Sequence, residues 1–386
     1  MPYIEDRIVH DADSHVMEIP GWLDEFGTRA VRDAFNARFG GHRGGLDRAI
    51  GQQDDPAFRA GDAAEIMARK NHDATGAFRR EDRPLALDLM GIASQLVFPT
   101  STNVWLEELE HGDDLELLYD TASATNRAQT EFCAADVRLR PVCYVPLASL
   151  ERAPAAAREA LDAGAAALLV PWACPKEHAT SHVALDALWG LAAEARVPIL
   201  FHVGVADRVL PRAHKNNGLP PVPDFHGGEE NFRSISYMAI PHGPMQALSM
   251  LILDGVLERF ESLRIGVIEL GASWLPGFMR QLDSAGEAFA RHEARLASLT
   301  LRPGEYVERQ VRVTPYPTEP AGWIIGQSAP GICMFSSDFP HVEGGRNPYG
   351  RFRRTTAELS VADQDRFFRG NFEDLMGMAG SGVGAA

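Results

Sequence analysis

The chain has 386 residues, 45% of them hydrophobic and 23% charged, with a formal net charge of −16. That is enough to bury a large core, and the acidic balance argues against a nucleic-acid backbone or an anionic membrane surface as partner. Four scattered cysteines (Cys133, Cys143, Cys174 and Cys333) without a CxxC pair, and no basic-then-apolar leader, point to a reducing cytoplasm.

The first β-rich stretch, RIVHDADSHV (7–16), places Asp11, Asp13 and His15 at alternate positions. An unbroken strand would put all three on one face. A polar, glycine-dotted segment follows over residues 20–90 and reads as a helical insertion over one end of the fold. Next come SQLVFPT (94–100), RPVCYVPL (140–147), the helical SLERAPAAAREALDAG (149–164) and AAALLVPW (165–172). The amphipathic LDALWGLAAEAR (185–196) leads into VPILFHVG (197–204), where His202 stands near the strand end. Residues 205–245 form a long Pro/Gly/Asn-rich connection that carries His242, and a loop of that length in a compact domain is usually functional. RIGVIEL (264–270) ends at Glu269, QVRVTPY (310–316) follows, and GICMFSSDFP (331–340) ends at Asp338 with His341 beyond. Residues 379–386 read as a loose tail. Eight strands alternating with helices predict a (β/α)8 barrel, a single domain over residues 1–378, with a doubly wound open sheet as the competing fold.

On such a barrel the carboxyl ends of the strands share one mouth. Asp13, His15, His202, Glu269 and Asp338 all stand at strand ends, and imidazoles with carboxylates converging on a point suit a divalent metal with N/O ligands. A metal also explains buried carboxylates, which are costly without a counter-charge. Asp11 lies one pleat further from the mouth and is read as a supporting group. Trp172, Trp274 and Phe339 are candidates to line an aromatic pocket, with ordinary packing as the alternative.

These motifs resemble the amidohydrolase superfamily, in the branch that contains aminocarboxymuconate-semialdehyde decarboxylase. HDADSHVME is similar to its first-strand Asp-x-His-x-His, with Asp13 in place of the first histidine. LFHVG, GVLERFESLRIGVIELGASWLPGFMRQLD, SSDFPHVEGG and GNFEDLM match the later motifs in order. The resemblance implies one divalent ion, zinc first and manganese second, held by Asp13, His15, His202 and Asp338. It implies a mononuclear site, because AAALLVPW lacks the lysine that bridges two metals in binuclear members. Asp338 is expected as base, Glu269 as the proton-transfer group where relatives carry a histidine, and His242 as an alternative to it. His341 is expected to touch substrate, together with Trp172, Trp274 and Phe339.

The function expected is hydrolysis of a small, possibly aromatic or carboxylated compound by a metal-activated water. Non-oxidative decarboxylation of an aromatic or unsaturated acid is the alternative, and an inactive barrel serving as a scaffold is the rival of another class. Asp13 and Asp338 already neutralise a 2+ ion and Glu269 makes the site negative, a balance that leans toward a neutral or monoanionic substrate and so toward hydrolysis. The protein is expected to act on a small molecule as a cytoplasmic homo-oligomer, a dimer.

Overall fold

The computed structural model describes residues 1–40, 43–173, 175–204, 209–220 and 234–378. Parallel strands run in chain order: β1 in two pieces (His10–Asp11 and His15–Val16), β2 (Ser94–Pro99), β3 (Leu139–Tyr144), β4 (Ala167–Leu169), β5 (Ile199–His202), β6 (Ile265–Ile268) and β7 (Val311–Val313). The eighth stretch expected from the sequence closes the ring. Val313 N–H donates to Ile332 O and Met334 N–H to Val313 O, both at 2.9 Å. On its other side Ala12 N–H donates to Phe335 O at 3.1 Å, Asp338 N–H to Asp13 O at 3.0 Å and His15 N–H to Phe339 O at 2.7 Å. The barrel is therefore the observed fold and the open sheet is not.

Strand alternation sorts the core into two layers. Leu96, Phe98, Val142, Leu169, Leu200, Ile268 and Met334 fill the interior. Val97, Cys143, Leu168, Ile199, Phe201 and Val267 face outward against the helices. The helix Asn371–Leu375 belongs to the interior: Phe372 and Leu375 pack into it, and Phe372 stacks on His10 with ring centroids 5.0 Å apart. His10 opens β1, so this short helix plugs the amino-terminal end of the barrel.

The first strand departs from the sequence expectation. His10 pairs with Ser94 and Asp11 with Gln95, but His15 pairs with Phe98 and Val16 with Pro99. Four residues of β1 thus span three of β2, which is a one-residue bulge. Its extra residue shifts the phase of the alternation. Asp11 points outward beside Gln95, whereas Asp13 and His15 point inward. The three do not share a face, because an unbroken strand was assumed where the backbone kinks.

The helices Arg29–Phe39, Arg43–Asp54, Pro56–Arg59 and Asp62–Glu65 follow β1, and Arg83–Met90 leads into β2. The insertion returns to the mouth through residues 71–77, where Asn71 N–H donates to Pro340 O at 2.9 Å and Met17 N–H to Ala77 O at 2.8 Å. Of the long connection, residues 205–208 and 221–233 lie outside the described residues, as do Cys174 and the tail 379–386. No helix among the described residues is long and apolar enough to cross a membrane.

Phe372 is 1% exposed, and removing a buried phenyl costs about 3–5 kcal/mol. Phe372→Ala is expected to lower the free energy of unfolding by that amount in a denaturant titration, and an unchanged midpoint would refute the plug.

Candidate metal centre

The bulge aims Asp13 and His15 into the mouth, β5 ends on His202, and residues 269 and 338 follow from β6 and the closing segment. Asp13, His15, His202 and Glu269 each offer one ligand atom, and these atoms lie within 4.8 Å of one another; His15, Glu269, Asp338 and His341 form a second such group. His15 Nε2 is 3.2 Å from Asp13 Oδ1 and 3.6 Å from Asp338 Oδ1. His202 Nε2 is 3.4 Å from both Asp13 Oδ1 and Glu269 Oε2. The structure thus brings together all four expected ligands and adds Glu269 and His341 to their circle.

Local structure presents these groups as ligands. His202 Nδ1 donates to the Val203 carbonyl at 2.9 Å, which leaves Nε2 to face the carboxylates, the usual arrangement behind a metal-binding imidazole. Burial and the neighbouring His341 and His202 rings hold His15 well below the ordinary histidine range, so it is neutral. Burial also works against charge on His202, but the hydrogen bond and charge of Asp13 outweigh it and raise its pKa. A cation between them can take the place of that proton.

Buried Asp13 Oδ2 and Asp338 Oδ2 have no hydrogen-bond partner. Orphaned carboxylate oxygens in a dry site are costly, and a divalent ion satisfies them. Two imidazoles with carboxylates are a donor set that suits zinc or manganese, so the residues fit the metal.

Glu269 and Asp338 both have left-handed backbones, at φ 54° and 52°. That conformation is unusual for residues other than glycine and concentrates where function demands it. Here hydrogen bonds hold it. Glu269 N–H donates to Thr314 Oγ1 at 2.9 Å and Tyr316 hydroxyl to Glu269 O at 2.7 Å, while Asp338 N–H is paired with Asp13.

His341 bridges two walls of the mouth, with Nδ1 3.0 Å from Asp338 Oδ1 and Nε2 3.2 Å from Thr100 Oγ1. Glu18 fixes that wall: its carboxylate accepts the backbone N–H groups of Thr100, Ser101 and Thr102 and the Thr102 hydroxyl at 2.6 Å, capping the helix Ser101–Glu110. Phe98 packs its ring 4.5 Å from that of His202.

The remaining candidates make contacts of other kinds. His242 is exposed in the first turn of the helix His242–Leu253. Trp172 is buried where a Cβ on Gly243 would meet its ring at 2.3 Å. Trp274 donates Nε1–H to Gly271 O at 2.7 Å, and Phe339 is fully buried with its ring centroid 5.0 Å from the Arg83 guanidinium carbon. Asp11 lies outside the cluster and accepts hydrogen bonds from Asp13 N–H and from Ser337.

Two functional groups escaped the sequence reading. Lys70, from the insertion, buries an ammonium without a hydrogen-bond partner within electrostatic reach of Asp338 and Glu343. Burial pushes it down to about 8, against the pull of those carboxylates, so it is still charged at neutral pH. Tyr316 is the other, recognisable only once its hydroxyl is seen on Glu269. The single sequence signal for Lys70 is that lysine is rare here, three of 37 basic residues.

Comparison with known proteins follows the same line. A family model for amidohydrolases matches residues 91–377, which include His202, Glu269 and Asp338. An amidohydrolase from Mycobacterium avium subsp. paratuberculosis has a similar structure, with a TM-score of 0.74 and 20% identity over 97% of this chain and 100% of that one. So has 5-carboxyvanillate decarboxylase from Novosphingobium aromaticivorans, complexed with manganese and 4-hydroxy-3-methoxy-5-nitrobenzoic acid, with a TM-score of 0.62 and 18% identity over 96% of each chain. 2,6-Dihydroxybenzoate decarboxylase from Rhizobium gives a TM-score of 0.63 and 15% identity over 97% of this chain and 100% of that one. No curated protein matches the sequence. These structural likenesses speak for the fold, and the family match spans most of the chain, from just before β2 to the plug. The chain belongs to the amidohydrolase family.

Proposed function

We propose that this protein is a mononuclear metal-dependent enzyme that removes CO2 from a small aromatic or unsaturated acid. The observation that carries the choice is Lys70, a buried ammonium beside Asp338 whose natural complement is a substrate carboxylate. It changes the charge balance on which hydrolysis of a neutral compound rested. Asp13, Glu269, Asp338 and Glu343 are met by a 2+ ion, the Lys70 ammonium and the Arg346 guanidinium, so an anionic substrate is no longer disfavoured. Two of the similar folds belong to decarboxylases of hydroxylated benzoates, in keeping with this reading.

Asp13, His15, His202 and Asp338 would hold the ion, which when bound supplies Lewis-acid polarisation of a substrate oxygen. Lys70 orients the carboxylate. When the carbon–carbon bond breaks, its electron pair stays on the substrate carbon, and that carbon must take a proton. Glu269, after taking up a proton from solvent, would deliver it and return to the carboxylate, and His341, held between Asp338 and Thr100, is the second candidate donor of the cluster.

Hydrolysis is retained as a second reading because Asp338 Oδ2, free of partners in the mouth, is placed to accept a proton from water. The proposal extends to zinc ahead of manganese, to one working unit over residues 1–378 and to a cytoplasmic homodimer, in keeping with the donor set and the unpaired cysteines.

Elemental analysis is expected to find one divalent ion per chain, and His202→Ala to lose most of it while keeping the far-ultraviolet circular dichroism of the parent. No metal in the parent would favour the inactive scaffold. With metal-loaded protein and a panel of hydroxybenzoates, release of CO2 with the matching phenol is expected, whereas inactivity on that panel together with cleavage of aryl esters or lactones that places oxygen-18 from H2(18)O in the acid product would establish hydrolysis. Lys70→Met removes a charged hydrogen bond of about 1.5–3 kcal/mol, so KM for the acid should rise about 10–100-fold with metal content unchanged. Glu269→Gln should lower the rate by about 10²–10⁴-fold, the range for general acid–base assistance, and loss of metal instead would make Glu269 a ligand.

A further inference from the structure

Behind the mouth, in the layer between barrel and helices, lies a buried polar chain that takes no part in the chemistry above. Asp11 is fully buried on the outer side of the bulge. Its carboxylate accepts four hydrogen bonds: from Asp13 N–H at 3.2 Å, Gln95 Nε2 at 2.7 Å, Ser337 N–H at 2.8 Å and the Ser337 hydroxyl at 2.6 Å. Two of these donors belong to residue 337, next to Asp338, and one to Asp13 itself.

Gln95 passes the chain on, its Oε1 accepting from Arg83 Nη2 at 2.9 Å. Arg83 is also fully buried, beside the Phe339 ring. Its remaining bonds all go to the elements that carry the site. Nη1 donates to His15 O at 2.9 Å and to Gly76 O at 3.2 Å, and Nη2 to Ser14 Oγ at 2.8 Å. Gly76 lies in the insertion turn that follows Lys70. It has φ 74°, and a Cβ there would come within 2.8 Å of Arg83 Cα, so the turn is fitted closely to this arginine.

A buried guanidinium and a buried carboxyl group thus face each other through one amide, with Arg83 Nε left without a partner. Their bonds converge on the backbone of two candidate ligands, on the neighbour of a third, and on the turn beyond the substrate-orienting cation.

We infer that Arg83, Gln95 and Asp11 are positioning residues, a guanidinium–amide–carboxyl chain that holds the bulge of β1 in register and so sets the aim of Asp13, His15 and Asp338 at the metal. The inference rests on the metal-centre reading of the mouth. Partners of this outer kind typically contribute about 10–100-fold in metal affinity.

The test is zinc affinity, measured by competition with a chromophoric chelator on full-length protein, alongside the melting temperature of the metal-free form. Gln95→Met keeps the side-chain length and removes the central link. Its zinc dissociation constant should rise about 10–100-fold. Ser337→Ala removes a single bond to Asp11 and should shift the constant several-fold in the same direction; it decides the matter if Gln95→Met does not fold. Variants that melt earlier but bind zinc as tightly as the parent would overturn the inference and leave the chain a structural one. Failure of the parent itself to bind zinc or manganese would instead overturn the metal-centre reading, and this inference with it.

Discussion

Three carboxylates pressed into one buried mouth cannot stand without positive charge. Asp13, Glu269 and Asp338 come from different strands, and their mutual repulsion in a medium poorer than water in screening has to be met locally. The protein's own contribution includes the Lys70 ammonium and the proton that Asp13 favours on His202, while His15 is held neutral. The cluster is one that a divalent ion could complete. The left-handed backbones of Glu269 and Asp338 belong to the same constraint, since each turns a carboxylate inward at some conformational cost and each is held there by a hydrogen bond to its own amide.

The scaffold meets this demand by separating roles across the wall of the barrel. One extra residue in β1 sends Asp11 to the outer layer and Asp13 and His15 to the inner one. The outer carboxylate is saturated with donors, whereas the inner ones keep oxygens unsatisfied. The same residue type thus serves as a structural clasp on one face and as a ligand on the other. The difference lies in the number of hydrogen-bond donors pointed at each.

Much of this was legible in the sequence. The eight strands announce themselves as short runs rich in β-branched and apolar residues, because a parallel sheet is buried on both faces. His202 and Asp338 stand out because a polar residue closing such a run needs a reason to be there. The bulge was not legible: HDADSHV alternates perfectly on paper, and only the pairing partners on β2 reveal that the phase slips. Lys70, Tyr316 and Arg83 were hidden for a different reason. Each acts through a partner far away in the chain, Lys70 near Asp338, Tyr316 on Glu269 and Arg83 on His15, and no local period encodes such a meeting. The exposed His242 shows the converse, a histidine made conspicuous by its surroundings in sequence and placed by the fold outside the cluster.

The closing of the ring has a consequence for how the protein comes into being. The first strand is completed only by residues 332–339, and the end below it is sealed only by the helix Asn371–Leu375. A nascent chain emerging from the ribosome can build its middle strands and their helices early, yet it leaves Asp13 and His15 without their barrel partners until residues 332–339 arrive. The mouth is therefore assembled late, after residue 339 has emerged, and until then residues 10–16 present an unpaired edge that a holding chaperone would be suited to cover.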